Sequence, residues 1–128
     1  MNNNIQEGKE LELTSVVKDN DTARVYGSGL LDVYSTPAMV AFMEKTSMEL
    51  VQPMLGKGYG TVGIALDIKH MKAVPVGEGI RCISRLSSVE GNKLIFTVKV
   101  SCDSGLVGEG IHSRYIIEEK RFLSKINK

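Results

Sequence analysis

This chain of 128 residues has no tryptophan, few cysteines and prolines, and almost no net charge. The two cysteines, Cys82 and Cys102, do not have the C-x-x-C spacing of a metal or redox site. We therefore expect no metal site and interpret both thiols as small core side chains in a reducing compartment. A net charge of +1 gives no reason to expect binding to nucleic acid or to an anionic membrane.

Long apolar runs are also missing, so no segment is predicted to span a bilayer. The polar start of the chain, MNNNIQEGKE, has no signal-peptide core. These absences favour a cytoplasmic location. The remaining composition, 42% hydrophobic and 24% charged residues, is typical of globular proteins, and the length predicts one domain over residues 1–128.

The first half of the chain predicts a strand followed by a long helix. Residues 9–18 alternate between polar and apolar, which predicts a first strand, and a short second strand is predicted at 22–26. Thr36 precedes a proline and is predicted to be the N-cap of a helix, a role that Ser35 could also take. The helix should run to about Leu55, before a glycine-rich segment.

The second half of the chain predicts four strands. Alternation from Val62 to His70 predicts one of them, and three further runs at 80–89, 93–102 and 106–117 are separated by short turns. These three predict an antiparallel meander. The charged tail EEKRFLSKINK should form a short exposed helix or fray.

This order of elements favours one architecture. An antiparallel sheet needs a cover for one face, and a single helix cannot cover itself. The simplest solution wraps the sheet around the helix, which is the α+β hotdog fold, and proteins of this fold usually dimerise by pairing their sheets. The order alone also allows other α+β sandwiches.

A carboxylate interrupts the apolar helix sequence PAMVAFMEKTS. Glu44 shares its helical stripe with Pro37, Val40, Met48, Val51 and Leu55. A carboxylate removed from water needs a partner and becomes a stronger base. The alternative, that Glu44 lies at the edge of the helix and reaches water, is equally compatible with the periodicity.

One histidine continues the alternation of a predicted strand. His70 follows Leu66 and Ile68 at a period of two residues, so its side chain should project toward the same face of the sheet as theirs, the face of the core. It could be a core histidine satisfied by a backbone carbonyl. Two inward-facing titratable groups, however, can share a proton or orient a water. The Thr36 hydroxyl lies at a helix start, where backbone amides can stabilise an anion.

The last predicted strand carries His112 and Arg114 on one face. An arginine on a central strand needs an anionic partner. We interpret His112 as an exposed side chain at the rim. Nearby, Gly108 and Gly110 indicate a close backbone approach or a bulge.

With Thr36, Glu44 and His70 at these positions, the chain resembles the single-domain hotdog thioesterases of the fluoroacetyl-CoA thioesterase type. The matching segments are STPAMVAFME, GYGTVGIALDIKHMKAVPVGE and GEGIHSRYII, and the resemblance extends from about residue 9 to 117. Thr36 and Glu44 are eight residues apart and Glu44 and His70 are twenty-six apart, which matches the spacing of that family's catalytic Thr, Glu and His.

The resemblance implies that Thr36, Glu44 and His70 are the catalytic set. It further implies that Gly63 brings a backbone amide to the thioester carbonyl and that Arg114 lies near the active site. Gly63 has the opposite alternation phase from His70, so the two can serve one site only through a bulge or a site shared by two subunits.

The expected reaction is hydrolysis of a small acyl-CoA thioester, with CoA as part of the substrate, no separate cofactor, and a homodimer or dimer of dimers as the assembly. Glu44 would activate water or attack the carbonyl directly, and the sequence leaves this open. The segment GSGLLDVY before the helix has no phenylalanine, unlike the lid of the fluoroacetyl-CoA enzyme, so a generic short acyl group is expected. The alternative is a non-catalytic acyl-CoA binding or sensing module; a hotdog hydratase is disfavoured because His70 falls in a strand.

Overall fold

The structure is a computed structural model that describes residues 4–127. Outside these residues lie Met1 to Asn3, which begin the polar start that has no signal-peptide core, and Lys128. The described part forms five strands and three α-helices: β1 (Glu10–Val16), α1 (Ala23–Tyr26), α2 (Thr36–Val51), β2 (Tyr59–His70), β3 (Gly79–Glu90), β4 (Lys93–Cys102), β5 (Gly105–Glu118) and α3 (Glu119–Ile126).

The strands form one antiparallel sheet in the order β1-β3-β4-β5-β2. The three-strand meander is confirmed, and the sheet packs around α2 as the hotdog fold requires. β1 and β2 are its two edges. No helix within residues 4–127 is long and apolar enough to cross a membrane.

The core lies between α2 and the inward face of the sheet. The helix contributes seven buried side chains: Ala38, Met39, Met43, Thr46, Ser47, Leu50 and Val51. They face the buried positions of β3 and β4, among them Cys82, Leu86 and Phe96. The hydroxyls of Ser47 and Ser84 lie 2.8 Å apart and join helix and sheet. Cys82 and Cys102 are both free and buried, as expected for core side chains.

Two elements in the first half of the chain differ most from the sequence prediction. Residues 23–26 form helix α1 and not a strand, because Thr22 Oγ1 accepts a hydrogen bond from the Val25 amide and Gly27 ends the turn at φ 79°. Helix α2 ends at Val51, because Pro53 interrupts the hydrogen bonding and residues 52–54 form a 3-10 turn.

The pairing of β2 with β5 contains a β-bulge between Gly63 and Ala65. Gly63 pairs with Arg114, whereas His70 pairs with Gly108. Because both partners are even-numbered positions of β5, Gly63 and His70 lie on the same face of the sheet. The bulge thus removes the conflict of phase that simple alternation predicted for these two residues.

Candidate active site

Thr36 and His70 meet at the start of helix α2. Ser35 is the N-cap, with its Oγ accepting from the Ala38 amide at 3.1 Å. The prediction of Thr36 as N-cap was therefore wrong, and the alternative residue takes that role. As the first residue of α2, Thr36 keeps its hydroxyl free for the sheet, and Oγ1 lies 2.8 Å from Nδ1 of His70.

The His70 ring is set against Tyr34, with ring centroids 6.1 Å apart and an interplanar angle of 75°. Its Nε2 is buried and has no hydrogen-bond partner among the described residues. Burial lowers the pKa of His70, and the backbone of Lys72 partly opposes that shift. The imidazole is therefore neutral near pH 7 and able to accept a proton. Beside it, an open cleft of about 410 Å³ includes Thr36 and Met71 in its lining.

Glu44 lies on the flank of α2 and is only partly buried. The expected apolar stripe is not the buried one, since Pro37 is exposed and the face that meets the sheet carries Met39 and Met43. The Glu44 side chain extends toward β2, where its Oε2 lies 2.7 Å from the position that a Cβ on Gly63 would occupy. Only a glycine leaves room for the carboxylate there.

Arg114 borders the same point from β5. It is 8% exposed, and its Nε and Nη2 donate to Thr61 Oγ1 at 2.7 Å and Thr61 O at 3.0 Å. Its Nη1 lies 3.4 Å from the Cβ position of Gly63. Burial lowers the pKa of Arg114, and the charge of Glu44 opposes that shift. Glu44, Gly63 and Arg114 therefore form one cluster.

His112 belongs to this cluster, although the sequence led us to place it at an exposed rim. It is 1% exposed, because the even-numbered positions of β5 face helix α2. Its Nε2 lies 3.2 Å from Nη1 of Arg114, and its ring stacks on Phe96 with centroids 6.1 Å apart. The spacing of two residues from Arg114 was the signal that could have identified it.

The predicted catalytic residues thus fall into two clusters in one chain. Thr36 and His70 form the first, and Glu44 lies in the second. The separation of eight positions between Thr36 and Glu44 corresponds to about 12 Å along the axis of α2. Within residues 4–127, no three His, Cys, Asp or Glu side chains lie close enough together to hold a metal ion.

A five-stranded antiparallel sheet wrapped around one long helix defines a hotdog-fold protein. The family model for fluoroacetyl-CoA-specific thioesterases matches residues 17–120. The chain belongs to this family, which confirms the resemblance noted in its sequence, and it is a thioesterase.

Individual relatives agree with this assignment. The fluoroacetyl-CoA thioesterase of Streptantibioticus cattleyicolor is 31% identical over 97 residues, covering 76% of this chain and 70% of the relative. A solved structure of a fluoroacetyl-CoA thioesterase superposes with a TM-score of 0.91 at 28% identity and covers 96% of both chains. A thioesterase-superfamily protein from Thermus thermophilus gives a TM-score of 0.89 at 26% identity, covering 96% of this chain and 91% of the other.

Proposed function

We propose that this protein hydrolyses a small acyl-CoA thioester to the free acid and CoA, using Thr36, Glu44 and His70. The observation that carries the proposal is the position of the Glu44 carboxylate, over the backbone of Gly63 and near the Arg114 guanidinium. Thioester hydrolysis requires a base or nucleophile next to groups that stabilise an oxyanion. Membership of the thioesterase family supports the same reaction.

We further propose that the two clusters meet in a homodimer. Strand β2 is a sheet edge of 12 residues, and on it the side chains of Ile64 and Leu66 are 51% and 36% exposed. An apolar edge of this length is a surface on which another strand can pair. A second copy of the same strand supplies a self-complementary partner.

The sequence of β2 sets the geometry of such a pairing. If two β2 strands pair antiparallel about a twofold axis at residue 67, the extra residue of the bulge brings Gly63 of one subunit opposite the partner subunit's His70. The carboxylate of Glu44 would then face the partner's Thr36 and the partner's His70. Each dimer would hold two such shared sites.

In the proposed reaction, Glu44 removes a proton from water while the water oxygen bonds to the thioester carbonyl carbon. In a covalent variant, the carboxylate itself attacks that carbon and forms an anhydride, which water then opens. In both routes the C–S bond breaks and CoA leaves as a thiolate. The amide of Gly63 and the guanidinium of Arg114 are the proposed donors to the oxyanion.

His70 would transfer a proton to the leaving CoA thiolate. Because its pKa is lowered, the ring is neutral and can accept a proton released in the reaction, then deliver it to the CoA sulfur. The Thr36 hydroxyl, bonded to Nδ1, would orient the ring. Single turnover in heavy-oxygen water tests for the anhydride, since label in Glu44 shows that water opened it at the Glu44 carbonyl. Label in the free acid alone arises from direct attack or from opening at the acyl carbonyl, and trapping of an acyl-enzyme then separates these two routes.

The proposed substrate carries a generic short acyl group, without selection for a fluorinated one. Segment 27–34, which precedes α2, exposes Leu30 and Leu31, with 86% and 67% of their surface accessible. No phenylalanine occurs in this segment, GSGLLDVY. The phenylalanine that the family resemblance associates with fluoroacetyl selection is therefore missing from this segment.

A thiol-release assay over a series of acyl-CoA chain lengths tests the reaction. Glu44→Gln and His70→Ala should each lower kcat by about 100-fold or more, whereas Glu49→Gln, on the same helix outside both clusters, should not. Unchanged turnover in both site variants would reject the assignment. Binding of acyl-CoA without thiol release by the wild type would instead indicate a binding module.

Mixing two inactive variants tests the shared site. In a dimer of one Glu44→Gln and one His70→Ala subunit, a shared arrangement leaves one site with both functional residues. After subunit exchange, about a quarter of the wild-type activity should return, because about half of the dimers are mixed and each has one working site. If each site lies within one chain, the mixture stays inactive.

A further inference from the structure

We propose that His112 is a positioning residue for thioester hydrolysis: it holds the Arg114 guanidinium against Gly63 and toward Glu44. This inference rests on the proposed function and adds a residue that the catalytic set does not contain. It is carried by the hydrogen bonds of two buried side chains on one strand.

The partners of His112 define its tautomer. Its Nδ1 lies 2.9 Å from the carbonyl oxygen of Ala65, which can only accept, so Nδ1 carries the proton and donates. Its Nε2 lies 3.2 Å from Nη1 of Arg114, which can only donate, so Nε2 is the acceptor. The neutral Nδ1–H form satisfies both contacts, and the imidazolium ion satisfies only one.

The guanidinium depends on this acceptor for its orientation. Thr61 receives the hydrogen bonds from Nε and Nη2 of Arg114, whereas Nη1, the nitrogen beside Gly63, donates to His112. Three of the five N–H groups of the guanidinium are thereby committed. One proton of Nη1 and one of Nη2 remain, which leaves the group able to donate to a bound substrate or to Glu44.

His112 is rigid enough for this role. It lies on a strand paired on both sides, with Leu66 of β2 and Phe96 of β4 as its neighbours, and its ring stacks on Phe96 at an interplanar angle of 27°. Burial lowers the pKa of His112 and the charge of Arg114 lowers it further, against the opposing effects of the Ala65 carbonyl and Glu44. The ring is therefore neutral near pH 7 and does not repel the guanidinium.

A double-mutant cycle separates positioning from a general structural role. His112→Phe keeps an aromatic ring on Phe96 and removes the acceptor, and it should lower kcat by about 10- to 100-fold, because displacing Arg114 misplaces a group in the site. In an Arg114→Ala background the same change should cost less than about twofold. Equal losses in both backgrounds, or wild-type kcat in His112→Phe, would overturn the proposal.

Nitrogen NMR gives a readout that needs no turnover. The chain has two histidines, so imidazole spectra of the wild type and His70→Ala identify the His112 signals. We expect the Nδ1–H tautomer and a change in the Nε2 resonance in Arg114→Ala. An Nε2–H tautomer, or an Nε2 resonance that does not change in Arg114→Ala, overturns the role of His112. Failure of the wild type to hydrolyse any acyl-CoA counts instead against the proposed function.

Discussion

Thr36 Oγ1 lies 2.8 Å from Nδ1 of His70 because the neighbouring Ser35, and not Thr36, caps helix α2. The two adjacent hydroxyls therefore have separable roles. One satisfies the helix, and the other reaches across to the last residue of β2. This division makes the contribution of each hydroxyl to stability and to activity measurable by single substitutions.

Thr36→Val should reduce kcat by at least about tenfold and leave the free energy of unfolding nearly unchanged, because it removes only the contact with His70. Ser35→Ala is the matched control. It should cost about 1 kcal/mol of stability through loss of the cap and change kcat less. Urea unfolding and thiol release on both proteins test this, and the opposite pattern would contradict the division of roles.

Gly63→Ala should impair catalysis far more than folding. A methyl group there collides with Oε2 of Glu44, the movable end of a side chain, so the carboxylate shifts while the strand remains paired. We expect kcat to fall by about 10-fold or more. Gly79→Ala, where a Cβ meets no atom within 4 Å, is the control and should retain wild-type turnover. Full activity in Gly63→Ala would show that Glu44 need not lie at this position.

Gly110→Ala should have the reverse effect, with loss of stability as the primary result. A Cβ on Gly110 would collide with the Asp67 carbonyl and the Ile68 backbone, which cannot move without separating β2 from β5. We expect a loss of about 1–3 kcal/mol, as for overpacked cores. Thermal and urea unfolding measure it, with Gly79→Ala again as the neutral reference; a stability equal to the reference would show that the strands adapt.

The two histidines should make the protein less stable in mild acid. Burial lowers the pKa of both His70 and His112 below the ordinary 6.5, so below about that pH the unfolded chain binds more protons than the folded one. The contribution of the two neutral imidazoles to the free energy of unfolding is therefore complete above pH 6.5. It decreases as the pH drops toward the pKa values of the folded protein, and below those values protonation of the histidines causes no further decrease.

Each histidine contributes at most one proton, or about 1.4 kcal/mol per pH unit, to this slope. Urea unfolding between pH 5 and 7 should therefore show a shallower pH dependence in His112→Phe than in the wild type. An unchanged slope would mean that His112 titrates normally in the folded protein.

The order of elements followed from the sequence because hydrophobic period is a local property of the chain. Alternation identified β1 and the strands from β2 onward, and the apolar run after Pro37 identified α2. Local hydrogen bonds were less predictable. Whether Ser35 or Thr36 caps the helix depends on the sheet, since His70 engages only the second hydroxyl.

By itself, the sequence determined the hotdog architecture, the family and the residue types available for chemistry at Thr36, Glu44 and His70. The tertiary structure alone decided how far apart they lie, because strand register and a bulge at Gly63 depend on pairing with β5. It also decided that His112 is buried beside Arg114. Periodicity reports which face a residue occupies, but only packing between distant segments determines which groups meet there.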